Sequence, residues 1–205
     1  MGNGMGNVFF NGFALTLGLI MAIGAQNAHV LRQGLRGEHV LLTVSVSALC
    51  DMALILVGIA GLGALFAANP DLMAVARYGG AAFLLWYGAR SLRAALRGGV
   101  RAELGARTQL SRGQALLAAA GFSLLNPHAY LDTVVLLGSI GSQQAEDLRP
   151  LFAAGAITAS IVWFVLLGYG ARLLVPLFSR PAAWRVLDAL VALMLWGIAA
   201  SLLLA

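Results

Sequence analysis

The sequence predicts an all-α, polytopic integral membrane protein: six transmembrane helices arranged as two inverted three-helix repeats, with span four broken at Asn126-Pro127. Three observations predict it. The 205 residues are 60% hydrophobic and only 10% charged, against about 25% charged in soluble domains. Several apolar runs reach the roughly 20 residues that cross a hydrocarbon core about 30 Å thick. Those runs are continuous, where a transmembrane β-barrel would alternate apolar and polar positions.

The spans follow in order. Residues 8–31 form the first. No Lys or Arg precedes it within residues 1–8, and a secretory signal needs a basic flank, so the apolar stretch 14–23 reads as a retained span. Span two covers 40–66, and Asn69-Pro70-Asp71 turns it into span three, 73–92. Gly98-Gly99 opens the longest loop. Span four covers 114–140, and Arg149-Pro150 and Arg180-Pro181 introduce spans five (151–177) and six (186–204). Gly58, Gly61, Gly63, Gly79 and Gly80 are expected to let helices approach closely, and Gly18 and Gly24 to do the same or permit bending. Trp86, Tyr87, Trp163, Tyr169, Trp184 and Trp196 read as interfacial anchors or packing residues. Cys50, the single cysteine, reads as packing.

Charge sets the expected orientation. Net charge is +5. In a soluble protein that would hint at nucleic acid, but here topology explains it and no nucleic-acid partner is expected. Six spans put Arg32, Arg36, Arg90, Arg93, Arg97, Arg101, Arg107, Arg112, Arg172, Arg180 and Arg185 on one side, and leave Arg77 and Arg149 on the other. Basic loops stay cytoplasmic, so both termini are expected outside. The arginine loop 90–112 is compatible with contact to anionic lipid.

A single transmembrane domain is expected over 1–205, with repeat one at about 1–97, an arginine-rich loop at about 98–113 and repeat two at about 114–205. Asn27-Ala28-His29 in span one echoes Asn126-Pro127-His128 in span four. Three spans per half invert the second half relative to the first, and inverted repeats carry transporter sites where the halves meet.

The polar residues inside the spans carry the chemistry. From Arg112 to Glu146 an unbroken helix would run about 51 Å, well beyond the bilayer core. Pro127 lacks an N–H and clashes with the carbonyl four residues back, so a kink or unwound stretch is expected near residues 125–128, facing a polar ligand or satisfied by neighbouring helices. Asp51, about 18 Å along its helix from His39, and Asp132 are intramembrane acids. They suggest a site for a cation, a proton carrier or both, or else structural locks to Arg32, Arg77 or Arg90. Gln26, Asn27 and His29 form a third polar cluster, whose amides can hold an α-carboxylate or α-amino group or bridge helices. His29 and His128 are candidates for titration. No metal-ligand spacing, phosphate loop or GxSxG motif occurs, so no metal, cofactor or enzymatic activity is expected.

Two stretches resemble a known family, the LysE/ArgO amino-acid exporters. One is Gly24-Ala25-Gln26-Asn27-Ala28-His29-Val30-Leu31-Arg32-Gln33-Gly34-Leu35-Arg36. The other is Leu125-Asn126-Pro127-His128-Ala129-Tyr130-Leu131-Asp132-Thr133-Val134-Val135-Leu136-Leu137-Gly138-Ser139. Length, span pattern and the position of Asp51 also fit. The resemblance implies export of L-lysine, L-arginine or both across a bacterial inner membrane, driven by an ion gradient, with Asp51 and Asp132 functionally important. Gln26, Asn27, Asn126, Pro127, His128 and Tyr130 lie within the matched motifs and complete the candidate site. On this reading the two acids compensate the substrate's charge, while Asn27, Asn126 and the backbone at Pro127 hold its α-amino and α-carboxylate groups. Protonation of one aspartate from outside would release substrate. The rivals are a neutral amino-acid exporter, a passive pore and a membrane enzyme. Homo-oligomerisation is left open.

Overall fold

The computed structural model describes residues 2–21, 24–62, 70–97, 110–126, 129–179 and 181–204. They form helices without a strand among them. The elements are α1 (Gly2–Ile20), α2 (Ala25–Arg36), α3 (Val40–Val57), α4 (Pro70–Arg97), α5 (Arg112–Leu124), α6 (Tyr130–Ser142), α7 (Arg149–Gly170) and α8 (Pro181–Leu204). α3 continues as a wider turn over Gly58–Leu62, and α7 as a tighter one over Ala171–Ser179.

Three helices among the described residues are long and apolar enough to cross a membrane: Val40–Gly61, Arg149–Pro176 and Ala182–Leu204. They expose Leu41, Leu49, Leu56, Leu166, Leu190 and Leu193, an apolar surface that suits lipid and not water. The chain is therefore a multi-pass helical membrane protein.

The first expected span is not one straight helix. α1 and α2 pass the same test only as a pair, bent by 83° at the break between Ile20 and Ala25. α2 carries Gln26, Asn27, His29, Arg32, Gln33 and Arg36 in one short helix. Lipid would not solvate them, so α2 leaves the line of α1 and buries Asn27, His29, Arg32 and Gln33 against its neighbours. α5 and α6 are each too short to cross alone. α5 is started by a capping box, with Ser111 accepting from the Gln114 backbone and Gln114 from the Ser111 backbone. The expected break at residues 125–128 falls partly on Pro127 and His128, which lie outside the described residues, as do Gly63, Asn69 and most of the arginine loop.

Packing pairs the elements in a regular way. α4 lies along α8, and α1 along α7. α1 packs on α7 as α5 packs on α3, and α2 packs on α7 as α6 packs on α3. The last turns of α7 cover α2, and the last turns of α3 cover α6. Several arginine-bearing helix ends gather at one end of the bundle: the Arg36 guanidinium lies 5.8 Å from the Trp184 ring, and His39 Nε2 is 2.8 Å from the Leu110 carbonyl oxygen, just before α5.

Gly58 makes the close approach expected of it. A Cβ there would sit 2.8 Å from the Val134 carbonyl oxygen and 2.9 Å from that of Thr133, both backbone atoms that cannot yield. Gly79 and Gly18, by contrast, face open space. Gly58→Ala is expected to destabilise the protein by about 1–3 kcal/mol, and Gly79→Ala to be neutral or slightly stabilising. Thermal unfolding of the two purified variants checks the contrast.

Candidate functional site

One cavity of about 340 Å³ lies where α2 and α6 begin, within the size range of small-molecule sites, about 300–1,000 Å³. Its wall contains Gln26 and Asn27 of α2, Asp51 of α3, Asn126, Asp132 and Thr133 around the start of α6, and Gly197 and Ser201 of α8. Five sequence-predicted site residues thus come together: Gln26, Asn27, Asp51, Asn126 and Asp132. Elements from both halves of the chain build the wall.

Asp51 is 5% exposed. Its Oδ1 accepts from Gln26 Nε2 at 3.2 Å and its Oδ2 from Ser160 Oγ at 3.1 Å. Both donors are neutral, and among the described residues no arginine pairs with it. Arg32, Arg77 and Arg90, the candidate locks, are placed elsewhere with respect to Asp51. Arg32 pairs with Asp188 at 2.7 Å. Arg77 donates to the Leu202 and Leu203 carbonyls at the end of α8. Arg90 lies over the Tyr87 ring, 6.0 Å from its centroid. A carboxylate held at the cavity wall by two neutral donors can attract a cation in the cavity, because the low-dielectric surroundings screen it little. Gln26 also donates to Ser123 Oγ at 2.9 Å, and Ser123 Oγ donates to the Ala119 carbonyl, so the Asp51 side of the wall is fixed across α2, α3, α5 and α7.

Asn27 and Tyr130 do related structural work. Asn27 Nδ2 donates at 2.6 Å to the carbonyl of Ile20, the last residue of α1, and its Oδ1 accepts from Trp163 Nε1 at 3.1 Å. Tyr130 Oη donates at 2.7 Å to the carbonyl of Leu124, the last residue of α5. Each side chain lies in the first turn of a short helix and satisfies the orphan carbonyl at the end of the helix before it. Asn27 therefore bridges helices as well as lining the cavity, whereas Tyr130 is absent from the cavity wall. Tyr130→Phe is expected to lower the melting temperature by about 2–4 °C, the loss of one hydrogen bond of about 1 kcal/mol, and to leave substrate affinity nearly unchanged. A melting curve and a titration on the same preparation check both parts.

α2 and α6 point their N-terminal turns at the cavity, which Gly24, Gln26, Ala129 and Asp132 line. Gly24, which precedes α2, brings no capping side chain. Uncapped first-turn N–H groups carry a partial positive charge and suit a ligand carboxylate.

His29 lies away from this wall. It is buried between Phe122, at 4.8 Å between ring centroids, and Tyr87, at 6.0 Å, and the Tyr87 hydroxyl is 3.4 Å from its Nδ1. Pro127 and His128 lie outside the described residues. Sequence reasoning missed Ser160 and Ser123, small hydroxyls indistinguishable from packing residues until their partners are seen. It read Trp163 as an anchor or packing residue, and the structure gives it Asn27 as acceptor. It also missed Asp188, a third acid within a span, whose signal was a lone charge in the apolar run 186–204.

A multi-pass helical bundle with a polar, acid-bearing cavity among its helices has the arrangement of a membrane transporter. The chain matches the LysE type translocator family over residues 17–205 and belongs to that family. It is 44% identical over 192 residues to the arginine exporter protein ArgO of Yersinia enterocolitica, covering 94% of each chain. It is 46% identical over 191 residues to YggA of Aeromonas salmonicida, provisionally named an amino-acid transporter, covering 93% of each. It is 49% identical over 183 residues to Rv0488 of Mycobacterium tuberculosis, which carries the same provisional name, covering 88% of this chain and 89% of the relative. No solved structure matches the chain.

Proposed function

We propose that this protein is a secondary active exporter of basic L-amino acids, arginine and/or lysine, across the bacterial inner membrane, coupled to the proton gradient. The observation that carries the reading is the pairing of two carboxylates, Asp51 and Asp132, with the amides of Gln26, Asn27 and Asn126 around one cavity. A guanidinium or ammonium group placed there gains compensating charge in a medium where an isolated cation is costly. The α-carboxylate is taken by the N-terminal turn of α2, and the α-amino group by amide oxygens of the cavity wall. Protonation of one aspartate from outside discharges the site and releases the substrate. The name of the Yersinia relative favours arginine.

Six spans in two inverted repeats are part of the same proposal. The reciprocal packing of α1 on α7 and α5 on α3, and of α2 on α7 and α6 on α3, supports it. So does the occurrence of two short helices, α2 and α6, at corresponding places in the two halves. The arginine-rich end faces the cytoplasm and both termini face the periplasm, by the positive-inside rule. The test is uptake of radiolabelled arginine, lysine and threonine into inside-out vesicles. Saturable, uphill uptake of arginine or lysine that collapses with the proton gradient is expected. Threonine as the preferred substrate would replace the reading with neutral amino-acid export, and uptake without saturation would replace it with a pore.

A further inference from the structure

An acid–guanidinium pair lies outside the cavity. Arg32 of α2 and Asp188 of α8 form an ion pair, Nη2 to Oδ1 at 2.7 Å, and Arg32 Nη1 donates to Ser91 Oγ of α4 at 3.0 Å. Arg32 is 6% exposed, Asp188 5%, and Ser91 fully buried. Burying such a pair costs desolvation that a well-packed apolar pair would avoid, so packing alone does not explain it.

Its position suggests what it does. Arg32 lies five residues beyond Asn27, about 7.5 Å along α2, and Asp188 lies nine residues before Gly197, about 13.5 Å along α8. Both displacements lead from the cavity towards the end of the bundle where Arg36 meets Trp184. His29, on α2 between Asn27 and Arg32, packs in an aromatic layer with Phe122 and Tyr87. Along α2 from the arginine-rich end towards the cavity, the ion pair comes first, then this layer, then Asn27 at the cavity wall.

The guanidinium of Arg32 is the same chemical group as the side chain of a transported arginine. Asp188 and Ser91 thus already hold a guanidinium, by one charge-assisted bond and one hydroxyl. We propose that Asp188 and Ser91 form an inner subsite for the cationic side chain of the substrate, with Arg32 as its exchangeable occupant. Substrate arriving from the arginine-rich end displaces Arg32, so that one cation replaces another and no bare carboxylate is left behind. The released Arg32 no longer ties α2 to α8, and the way to the aromatic layer opens. This inference rests on the proposed export of cationic amino acids.

The test compares right-side-out and inside-out vesicles loaded with unlabelled arginine, measuring KM for labelled L-arginine counterflow at each face. Two variants are used. Arg32→Gln with Asp188→Asn removes the subsite and both partners of the ion pair together, and is expected to raise KM at the arginine-rich face by about tenfold or more, with KM at the other face within about twofold. Arg32→Lys leaves the subsite with a weaker, non-planar occupant, and is expected to lower KM at the arginine-rich face by about threefold. Unchanged KM values, or equal increases at both faces, would show a structural lock and overturn the inference. If the double variant fails to reach the membrane, an unchanged KM at the arginine-rich face in Arg32→Lys overturns it alone. Absence of saturable arginine counterflow in the unaltered protein overturns the export reading itself.

Discussion

Asp51→Asn is expected to reduce arginine export by about 100-fold or more while leaving the protein folded in the membrane. The amide keeps the shape of the carboxylate, and its oxygen can still accept from Gln26 Nε2, as Asp51 Oδ1 does at 3.2 Å. Its NH2 faces Ser160 Oγ, which donates to Asp51 in the native chain but can turn its lone pairs to accept instead. The local bonds are thus replaceable and the negative charge is not. Removing one member of a desolvated charge pair costs about 2–5 kcal/mol, and each 1.4 kcal/mol is about tenfold. Export assayed in whole cells, normalised to the amount of protein in the membrane, reads the effect. Export at the normal rate would remove Asp51 from any role in charge compensation.

Asp132→Asn is expected to cost about 10–100-fold, less than Asp51→Asn, because Asp132 is only half-buried in the described fold and its charge is more screened by water. It also sits in the first turn of α6, where the helix end already favours a negative group. If both acids compensate one cation, the double variant should fall well short of the product of the single losses, since groups acting as a unit are not additive. Full multiplicativity would assign the two acids to independent tasks, one for substrate and one for the coupling ion. The same export assay on the two single variants and the double decides between these outcomes.

Much of this site was legible in the sequence for a physical reason. Acids and amides inside apolar runs are costly, so Asp51, Asp132, Gln26, Asn27 and Asn126 announced themselves, and the cavity gathers all five. The bend in span one was only partly legible: Gly24, expected to pack closely or permit bending, lies at it. No proline marks it, and residues 8–31 read as one run long enough to cross. The signal was the polarity of α2 itself, since so many polar groups could not continue a lipid-facing helix. Asp188 escaped notice because a charge near the start of span six reads as interfacial; only its 2.7 Å contact with Arg32 shows that it is buried and paired. Tyr130 lies in a recognisable motif, yet its hydroxyl holds the Leu124 carbonyl. A motif reports that a residue matters to a segment, and the geometry is needed to say whether it meets ligand or backbone.

The proposed function requires that the cavity select a cationic side chain. Binding of L-arginine and of L-citrulline to the purified protein tests it most directly, because citrulline has nearly the shape of arginine but carries a neutral urea. Arginine is expected to bind at least about tenfold more tightly than citrulline, and the difference to disappear largely in Asp51→Asn. Equal affinities in the unaltered protein, or a preference for arginine that survives the loss of both Asp51 and Asp132, would contradict it.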